Sequence, residues 1–513
     1  MQQESVEPAT GAVLGSVALT DPGDVAGVVA GAAAVQPLWA QLRPRDRARY
    51  MRRAAQAVID ELDELVPLIA REQGRPVAEA EHMELLPAIE TLRWLAEKGP
   101  AVLGDDRIGL SRSLFLRKRA RVTYAPVGVV AVITPAADPF AQPLGDVAIA
   151  LMAGNAVVLK PSPAACLSGE RIGRVFARAG LPEGLLRVVH GGSVVGRALV
   201  DAPVDQVLLT GSVEVGRSVG EACARALKPA TLGLAGNDPM LVLADAPVER
   251  AVAGAVWGAF ANAGQAAGSI ERAYVVPDVY DRFLRGVVAG AQRLRLGDPL
   301  DPATEVGPLT SVERAERVRE LVADAVGRGA TLHCGGDGDG AYVAPAVLTG
   351  VPADSPLLAA EVPGPVLVVA RVEDVDEAIG RSNFGEFGLG ASVWTEDRAK
   401  GARIGRALHA GMVWLNDHQV AAMAPQLPWG GMKDSGLGSV RGVAALHECA
   451  TSKVVTWDPP AGRPAWWFPY DDTLVRAGEA LVWLRSARDR DRSRAWRSRV
   501  VAMSRVALRT LRS

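Results

Sequence analysis

The sequence contains few of the residues that build metal sites or disulfide frameworks. Its 513 residues include four cysteines and six histidines, which are scattered without CxxC, CxxH or HxxxH spacing. Zinc sites and disulfide-stapled folds need such spacing, so neither is expected, and a reducing cytoplasm is the predicted compartment. The formal net charge of −2 gives no global attraction to nucleic acid. Neither a metal nor a nucleic-acid partner is therefore predicted.

Long apolar runs are also missing. A membrane-spanning helix needs about 20 consecutive apolar residues. The longest uncharged stretches, such as residues 122–137, contain proline and are typical of a buried strand followed by a turn. The first 20 residues include acidic side chains and show no basic-then-apolar pattern, so no secretory signal is predicted.

The apolar residues that are present follow an α/β pattern. With 49% hydrophobic residues, the chain is long enough for two or three domains with substantial cores. Residues 44–72 and about 76–98 show helical periodicity. Buried strands, alternating with helical sequence, are predicted at 127–134, 156–160, 186–190 and 206–210. This alternation predicts βαβ units and a parallel sheet covered on both faces.

Several ordered segments resemble the aldehyde dehydrogenase superfamily. Residues 262–272, Asn-Ala-Gly-Gln-Ala-Ala-Gly-Ser-Ile-Glu-Arg, resemble its nucleophile segment, and residues 134–140, Thr-Pro-Ala-Ala-Asp-Pro-Phe, resemble its Thr-Pro-Trp-Asn-aromatic-Pro segment. Supporting matches lie at 157–162, 209–216, 231–239, 360–366, 387–389, 411–416 and 428–436. The resemblance runs from about residue 8 to about residue 457. Residues 269–272 and the Trp/Pro-rich end look similar to actinobacterial succinate-semialdehyde dehydrogenases.

The resemblance implies an α/β aldehyde dehydrogenase fold. A Rossmann-like cofactor domain maps to 1–104 and 126–234, and an α/β catalytic-type domain maps to 235–427. A β oligomerisation arm maps to 105–125 and 428–457, which implies a homodimer or a higher homo-oligomer. Residues 458–513 form a Trp/Pro-rich and then Arg-rich extension.

The family's catalytic side chains are replaced at the matching positions. Ala267 stands where the family places its nucleophilic cysteine, Ala137 where an amide holds the oxyanion, and Gly233 where a Glu acts as general base. An oxyanion donor is worth about 10² to 10³ in rate and a positioned base about 10² to 10⁴. Ordinary aldehyde oxidation is therefore not expected.

The resemblance also implies a bound nicotinamide dinucleotide, which could be either NAD or NADP. The residues that would hold it are Lys160, Ser162, Gly211, Ser212, Gly216 and Glu361. Pro163 replaces the acid that often binds the adenosine ribose hydroxyls, which slightly favours NADP. Alternatively, Gly211 and Gly216 serve only a tight strand-to-helix turn.

The substitutions predict a larger and more apolar pocket. At five matching positions the side chain is smaller or less polar than the one the family has there. These positions are Ala136, Ala137, Gly233, Ala267 and Pro363. Such a pocket suits an apolar small molecule, unless neighbouring tryptophans fill it. Asp138 would then be a general acid whose pKa burial raises, or else a cap of the next helix. Asp417 and His418 are further acid and base candidates.

The C-terminal extension differs from the neutral body. Residues 481–513 hold ten Arg against two Asp, and Trp496, Val500, Met503 and Ala507 recur at helical spacing. This pattern is typical of a basic amphipathic helix on an anionic membrane surface. The alternative is a helix packed on a neighbouring subunit or on the acidic parts of the chain's own body.

Three functions follow. The first is a repurposed enzyme that performs non-redox, acid-assisted isomerisation or cyclisation of a hydrophobic, lipid-like substrate, and so is not a conventional NAD(P)-dependent aldehyde dehydrogenase. The second is a non-catalytic pseudoenzyme or partner subunit. The third is an NAD(P)-dependent aldehyde or alcohol oxidoreductase that works without a covalent intermediate.

Overall fold

The computed structural model describes residues 1–111, 115, 117–419, 424–458, 460, 467–492, 501 and 503–506. The chain divides into two compact units. The larger unit contains Met1–Leu103 and Ala125–Thr451, and the smaller contains Gly104–Tyr124 and Ser452–Ser513. Within the extension, Trp496, Val500 and Ala507 lie outside the described residues.

The strands of the described chain are β1 (Gln2–Val6), β2 (Val13–Ala18), β3 (Asp106–Ile108), β4 (Arg119–Pro126), β5 (Val129–Ile133), β6 (Ala156–Lys160), β7 (Leu186–Val188), β8 (Gln206–Gly211), β9 (Ala230–Leu234), β10 (Asp238–Val242), β11 (Ile270–Val275), β12 (Thr331–Cys334), β13 (Ala346–Thr349), β14 (Val366–Arg371), β15 (Gly390–Trp394), β16 (Met412–Leu415), β17 (Gly436–Leu437) and β18 (Ala450–Trp457).

The α-helices are α1 (Val25–Ala40), α2 (Pro44–Asp60), α3 (Leu62–Gln73), α4 (Val77–Glu79), α5 (Leu86–Val102), α6 (Ala141–Ala153), α7 (Cys166–Arg178), α8 (Ser193–Asp201), α9 (Val213–Arg225), α10 (Val248–Phe260), α11 (Pro277–Arg293), α12 (Val312–Gly327), α13 (Pro356–Ala359), α14 (Val375–Asn383), α15 (Arg398–Ala407), α16 (Gly442–Glu448) and α17 (Asp472–Trp483). A π-helical turn (Ala80–Leu85) joins α4 to α5, and short 3-10 turns lie at Pro163–Ala165, Ala261–Gly264 and Lys433–Ser435.

A six-stranded sheet forms the first half of the larger unit, in the order β17-β9-β8-β5-β6-β7. All neighbours are parallel except β17, which pairs antiparallel with β9. Strands β5 and β6 are Val- and Ala-rich and almost wholly buried, as strands covered on both faces must be. The four strands predicted from the sequence are confirmed, with ends within about two residues. Their carboxyl ends meet at one edge.

A seven-stranded sheet forms the second half, in the order β12-β13-β14-β11-β10-β15-β16. It is parallel apart from the β12 to β13 pair. Its core contains Phe260, Phe283 and Trp394, all buried. The first sheet's β9 ends at Leu234 and the second sheet's first strand begins at Asp238, so the chain passes from one sheet to the other between these residues.

The predicted arm divides between the two units. Strand β18 joins β4 and β3 in a three-stranded sheet, and residues 452–457 group with the smaller unit. Residues 428–451 group with the larger unit instead. The physical reason is strand β17, in which Gly436 pairs with Gly233. A Cβ at Gly436 would lie only 2.0 Å from the carbonyl oxygen of Leu232, so glycine permits this close approach.

In the described ranges no single helix is long and apolar enough to cross a membrane. Helices α1 and α2 pass that test only when they are taken together, and they are bent by 118° relative to each other.

Candidate active site

A strained turn positions the loop that carries Ala267. The turn Ala261–Gly264 follows α10, and Asn262 within it has φ 51°, in the left-handed region. The Asn262 backbone N–H donates to the Glu79 carboxylate at 2.9 and 3.1 Å, and its side-chain amide donates to the Ala137 carbonyl at 3.1 Å. A Cβ at Gly264 would lie 2.2 Å from the Gly364 carbonyl oxygen. These contacts fix the loop against its neighbours.

Ala267 lies half-buried where the resemblance expects the nucleophile. A Cβ at Gly236 would lie 2.5 Å from the Ala267 carbonyl oxygen, so the segment after β9 packs directly on the loop. The side chain at this position is a methyl group. It can neither attack a carbonyl nor hold an acyl group.

Burial disfavours the thiolate form of all four cysteines. Burial raises the pKa of Cys166 to about 11 and that of Cys449 further. The pKa values of Cys223 and Cys334 are raised by burial as well. All four therefore remain thiols near neutral pH, and a thiol is a poor nucleophile compared with a thiolate.

Asp138 lies in an ion-paired network and not on a dry apolar wall. Its carboxylate accepts from Arg75 Nη2 at 3.2 Å, and its side chain is 39% exposed. Arg75 is buried and also lies 3.1 Å from Glu84. Asp138 does not cap the next helix, because the first backbone N–H groups of α6, at Phe140 and Ala141, donate to Glu84. The geometry therefore contradicts both predictions for Asp138, which were a general acid on an apolar wall and a cap of the next helix.

His418 holds the loop and is not placed to exchange protons near neutral pH. It is buried, and its Nε2 lies 2.7 Å from the Gly268 carbonyl oxygen, so that nitrogen carries the proton. Burial lowers the pKa of His418 to about 4, which keeps the ring neutral. Its ring packs edge-on against Trp414 at 5.0 Å. The neighbouring Asp417 is half-buried.

The carboxyl edge of the six-stranded sheet carries the predicted cofactor residues. Lys160 ends β6, is buried, and donates from Nζ to the Pro161 carbonyl at 3.1 Å. Burial lowers the pKa of Lys160 to about 8. At the end of β8, Gly211 is followed by Ser212, whose hydroxyl caps α9 by accepting from the Val215 N–H at 3.4 Å. The helix N-terminus and the lysine suit a phosphate-bearing ligand.

Two threonine hydroxyl groups are buried at the same carboxyl edge of the six-stranded sheet. Within the described part of the chain, the Oγ1 atoms of Thr134 and Thr210 are buried and have no hydrogen-bond partner. Buried polar atoms of this kind usually meet a ligand or water. Gly211 leaves room for close approach, since a Cβ there would touch only Leu209 at 3.9 Å. The residues present therefore fit a dinucleotide.

The other cofactor candidates have local roles. Gly216 packs on β9, and a Cβ there would lie 2.5 Å from the Leu234 side chain. Close packing of α9 on the sheet therefore explains this glycine without a cofactor. The Ser162 hydroxyl accepts from the Ala164 N–H at 3.4 Å and begins the short turn at Pro163.

Glu361 lies half-buried on the loop between α13 and β14. Asn237 donates to the neighbouring Ala360 carbonyl at 2.8 Å, and the Val362 N–H donates to Glu271 at 3.2 Å. Burial raises the pKa of Glu361. Burial and the nearby Glu361 charge raise the pKa of Glu271 well above its usual range. A carboxylate with a raised pKa is a stronger base than an exposed carboxylate.

Some site residues were not predicted from the sequence. Glu271 and Arg272 are charged residues within β11, where every residue is buried. Arg75 and Glu84 form the buried ion pair described above, and the half-buried Glu79 accepts from the Asn262 N–H. A charged pair inside an apolar strand is the one signal that marks the first two. Of the predicted pocket positions, Ala136 is buried, Pro363 is half-buried, and Gly233 lies on β9 beside Thr210.

Two mainly parallel α/β sheets, with the loop 261–269 leading into β11 of the second, define a class of folds that nucleotide-dependent oxidoreductases use. A model of the aldehyde dehydrogenase family matches residues 1–455, and the chain belongs to this family.

Individual relatives agree with this family. Betaine aldehyde dehydrogenase of Agrobacterium fabrum is 36% identical over 459 residues, covering 88% of this chain and 92% of that protein. The succinate-semialdehyde dehydrogenase [NADP(+)] GabD of Escherichia coli is 35% identical over 436 residues, covering 84% and 89%.

Solved structures give the same result. An NADP-dependent enzyme of Escherichia coli superposes with a TM-score of 0.86 at 33% identity, covering 90% of this chain and 95% of that chain. The NAD⁺ complex of an aldehyde dehydrogenase from Bacillus cereus superposes with a TM-score of 0.85 at 30% identity, covering 89% and 93%.

These relatives overturn two predictions. Non-redox, acid-assisted isomerisation or cyclisation is contradicted, because the relatives are named as dehydrogenases of betaine aldehyde, phenylacetaldehyde and succinate semialdehyde. The prediction that the chain is not a conventional NAD(P)-dependent aldehyde dehydrogenase is wrong for the same reason, since family and relatives indicate that activity. The pairing of Asp138 with Arg75 removes the physical basis of the first prediction.

Proposed function

We propose that the chain oxidises an aldehyde to its acid with NAD or NADP. The observation that carries the proposal is the carboxyl edge of the six-stranded sheet. There the buried Lys160, the unpartnered hydroxyls of Thr134 and Thr210 and the N-terminus of α9 converge. The similarity to NAD- and NADP-dependent relatives supports the same use of this edge.

The chain's own residues have separable roles toward a dinucleotide. The α9 N-terminus and Lys160 would hold its phosphate and ribose oxygens, and Thr134 and Thr210 would complete their hydrogen bonds with it. When bound, a nicotinamide ring supplies the acceptor for the hydride that the aldehyde carbon loses on oxidation. Because Pro163 offers no carboxylate to the adenosine ribose, we expect NADP to bind at least as tightly as NAD.

The proposed substrate form is the hydrated aldehyde, because Ala267, Ala137 and Gly233 stand at the family's Cys, Asn and Glu positions. A hydrate already carries the second oxygen of the acid product. Its carbon loses a hydride, one hydroxyl loses a proton, and a C=O bond forms, which balances atoms and electrons. Glu361 accepts that proton on a carboxylate oxygen, since its raised pKa makes it a stronger base than an exposed carboxylate.

The packing around the loop orients this hydrate. Glu79 and His418 fix the loop at Asn262 and Gly268, and Glu271 holds the Glu361 loop through Val362. A shift of even 1 Å in such groups can cost about 10² in rate. The rigid frame therefore compensates in part for the absent covalent step.

The substrate is proposed to be a small aldehyde of the kinds that the relatives' names give. Residues 269–272, Ser-Ile-Glu-Arg, look similar to succinate-semialdehyde dehydrogenases, and the Escherichia coli relative carries that name. Succinate semialdehyde is therefore the first aldehyde to assay, with betaine aldehyde and phenylacetaldehyde beside it.

The test is a dinucleotide titration followed by an assay of reduced nicotinamide. Lys160→Met is expected to weaken NAD and NADP binding by about tenfold or more, the usual value of a lost charged hydrogen bond. Lys228→Met is the matched control, because Lys228 also donates only to backbone carbonyls, at Val200 and Ala202, but lies before β9 at the opposite edge of the sheet. Equal dinucleotide affinity in both variants would refute the assignment of this edge.

A homodimer or larger homo-oligomer is proposed through the three-stranded sheet. All three residues of β3 and most residues of β18 are exposed in the single chain. An exposed sheet edge is a natural pairing surface. Light scattering on the purified chain tests this, and a monomer at micromolar concentration would contradict it.

A further inference from the structure

Three aromatic side chains within four residues are exposed in the smaller unit. We call residues 467–470 the aromatic loop. Trp467 is 64% exposed, Phe468 71% and Tyr470 62%. The rings of Phe468 and Tyr470 lie 4.6 Å apart, so they present a joined apolar surface. A cluster of large, solvent-exposed aromatic side chains is typical of an interaction site.

Helix α17 continues this apolar surface along the chain. It begins at Asp472, directly after the aromatic loop, and Asp471 caps it by accepting from the Leu474 N–H at 2.9 Å. Val475 and Val482 lie seven residues apart on one helix face and are exposed. Trp483 is exposed at its end. The helix buries Ala477 and Ala480 on the other side.

Arginine residues follow directly after helix α17. Residues 481–513 hold ten Arg against two Asp, and we call residues 485–492 among them, which the structure describes, the basic segment. Within it, Arg485, Arg488, Arg490 and Arg492 are exposed. Asp489 and Asp491 pair with Arg492 and Arg490, so the two acids offset only part of the charge. The remainder of the chain carries net negative charge, since the total is −2.

We propose that the aromatic loop and the basic segment together bind an anionic lipid surface. Tryptophan and tyrosine rings insert at the headgroup level, because one part of each ring is apolar and another forms hydrogen bonds. Arginines beside them are attracted to the negative surface of the bilayer. The strength of such surface binding grows with the apolar area inserted and with the attraction to anionic lipids, and these residues supply both.

Charge argues against a second copy of the same segment as the occupant. Two basic segments placed face to face would bring like charges together, which is unfavourable at an interface. An anionic bilayer instead complements the charge and accepts the exposed aromatic rings. The site is independent of the proposed oxidation chemistry, since it uses residues of the smaller unit alone.

The experiment is co-sedimentation of the full chain with vesicles of phosphatidylcholine alone or with one-third phosphatidylserine. Binding to the anionic vesicles is expected to exceed binding to the neutral ones by about tenfold or more and to fall as salt is raised. Replacing Trp467, Phe468 and Tyr470 by Ser is expected to reduce anionic-vesicle binding about tenfold. Arg485→Gln, Arg488→Gln, Arg490→Gln and Arg492→Gln together are expected to do the same at low salt.

Matched controls come from the larger unit. Leu38→Ser with Phe384→Ser removes two other exposed apolar side chains. Substituting Gln for Arg43, Arg49, Arg225 and Arg317 removes four other exposed arginines. Both control variants should bind vesicles like the wild type.

Four results would overturn the proposal. They are no vesicle binding, equal binding to neutral and anionic vesicles, full binding by the aromatic variant, and equal losses in the control variants. Aromatic-dependent self-association without vesicle binding would assign the surface to a second copy instead. None of these results bears on aldehyde oxidation, so failure here is distinguishable from failure of the proposed function.

Discussion

Arg75→Met should be among the most destabilising single substitutions in the larger unit. Arg75 is 1% exposed, lies 3.1 Å from Glu84 and 3.2 Å from Asp138, and donates to the Ala137 carbonyl at 2.7 Å. Removing one partner of a buried ion pair leaves an uncompensated charge and costs about 3–5 kcal/mol. Methionine fills a similar volume, so the loss measures charge and hydrogen bonding more than a cavity.

The stability lost in Arg75→Met should grow as the pH rises. Burial raises the pKa of Glu84 to about 7 from its ordinary 4.5, and Arg75 acts against that rise. A carboxyl group whose pKa is raised on folding favours the folded state below pH 4.5, and this contribution is lost as the pH rises through 7. Without Arg75 the pKa of Glu84 rises further, which extends this loss to higher pH. The variant should therefore be closer to the wild type at pH 5 than at pH 8.

Urea unfolding followed by tryptophan fluorescence at both pH values measures the effect. The control is Arg71→Met, because Arg71 lies one turn earlier and pairs with Glu7 at 2.9 Å, but its side chain is 44% exposed. Such a surface pair is worth about 0–1 kcal/mol. The reasoning is refuted if the two variants lose equal stability at pH 8, or if the loss in Arg75→Met does not change with pH.

Three further predictions concern the site. Pro163→Glu should shift dinucleotide preference toward NAD, measured as the ratio of the two dissociation constants, and an unchanged ratio would contradict this. Ala267→Cys should accumulate an acyl adduct detectable by intact mass, because Gly233 offers no base to release it, whereas Ala267→Ser should show none. His418→Ala should cost about 1–3 kcal/mol by leaving the Gly268 carbonyl unpaired. The pKa of His418 is about 4 in the fold, against an ordinary 6.5, so wild-type stability should fall from pH 6.5 toward pH 4, and this part should be absent in the variant.

The fold could be predicted from the sequence because its strands are locally encoded. Residues 156–160 are a continuous apolar run ending in Lys160, and the observed strand has the same bounds. The bounds of the arm stay a prediction. Residues 428–451 contain no strong periodicity, and the pairing of Gly436 with Gly233 joins residues about 200 positions apart in the chain. Such long-range pairing has no local sequence signal.

The candidate site was only partly predictable for the same reason. Lys160 and Glu361 could be identified from the family motif. Asp138 could not be interpreted correctly, because its partner Arg75 is distant in sequence and charged residues usually signal a surface. His418 was a candidate acid or base by residue type alone, and only its burial against Gly268 shows that it supports the loop.

The most direct test of the account is a product balance with the purified chain. Succinate semialdehyde, betaine aldehyde and phenylacetaldehyde are each incubated with NAD or NADP, and reduced nicotinamide and carboxylic acid are quantified together. We predict that at least one aldehyde gives the two products in equal amounts, and that Lys160→Met slows their formation at limiting dinucleotide. Dinucleotide binding without reduced nicotinamide or acid from any of the three aldehydes would contradict the proposed oxidation.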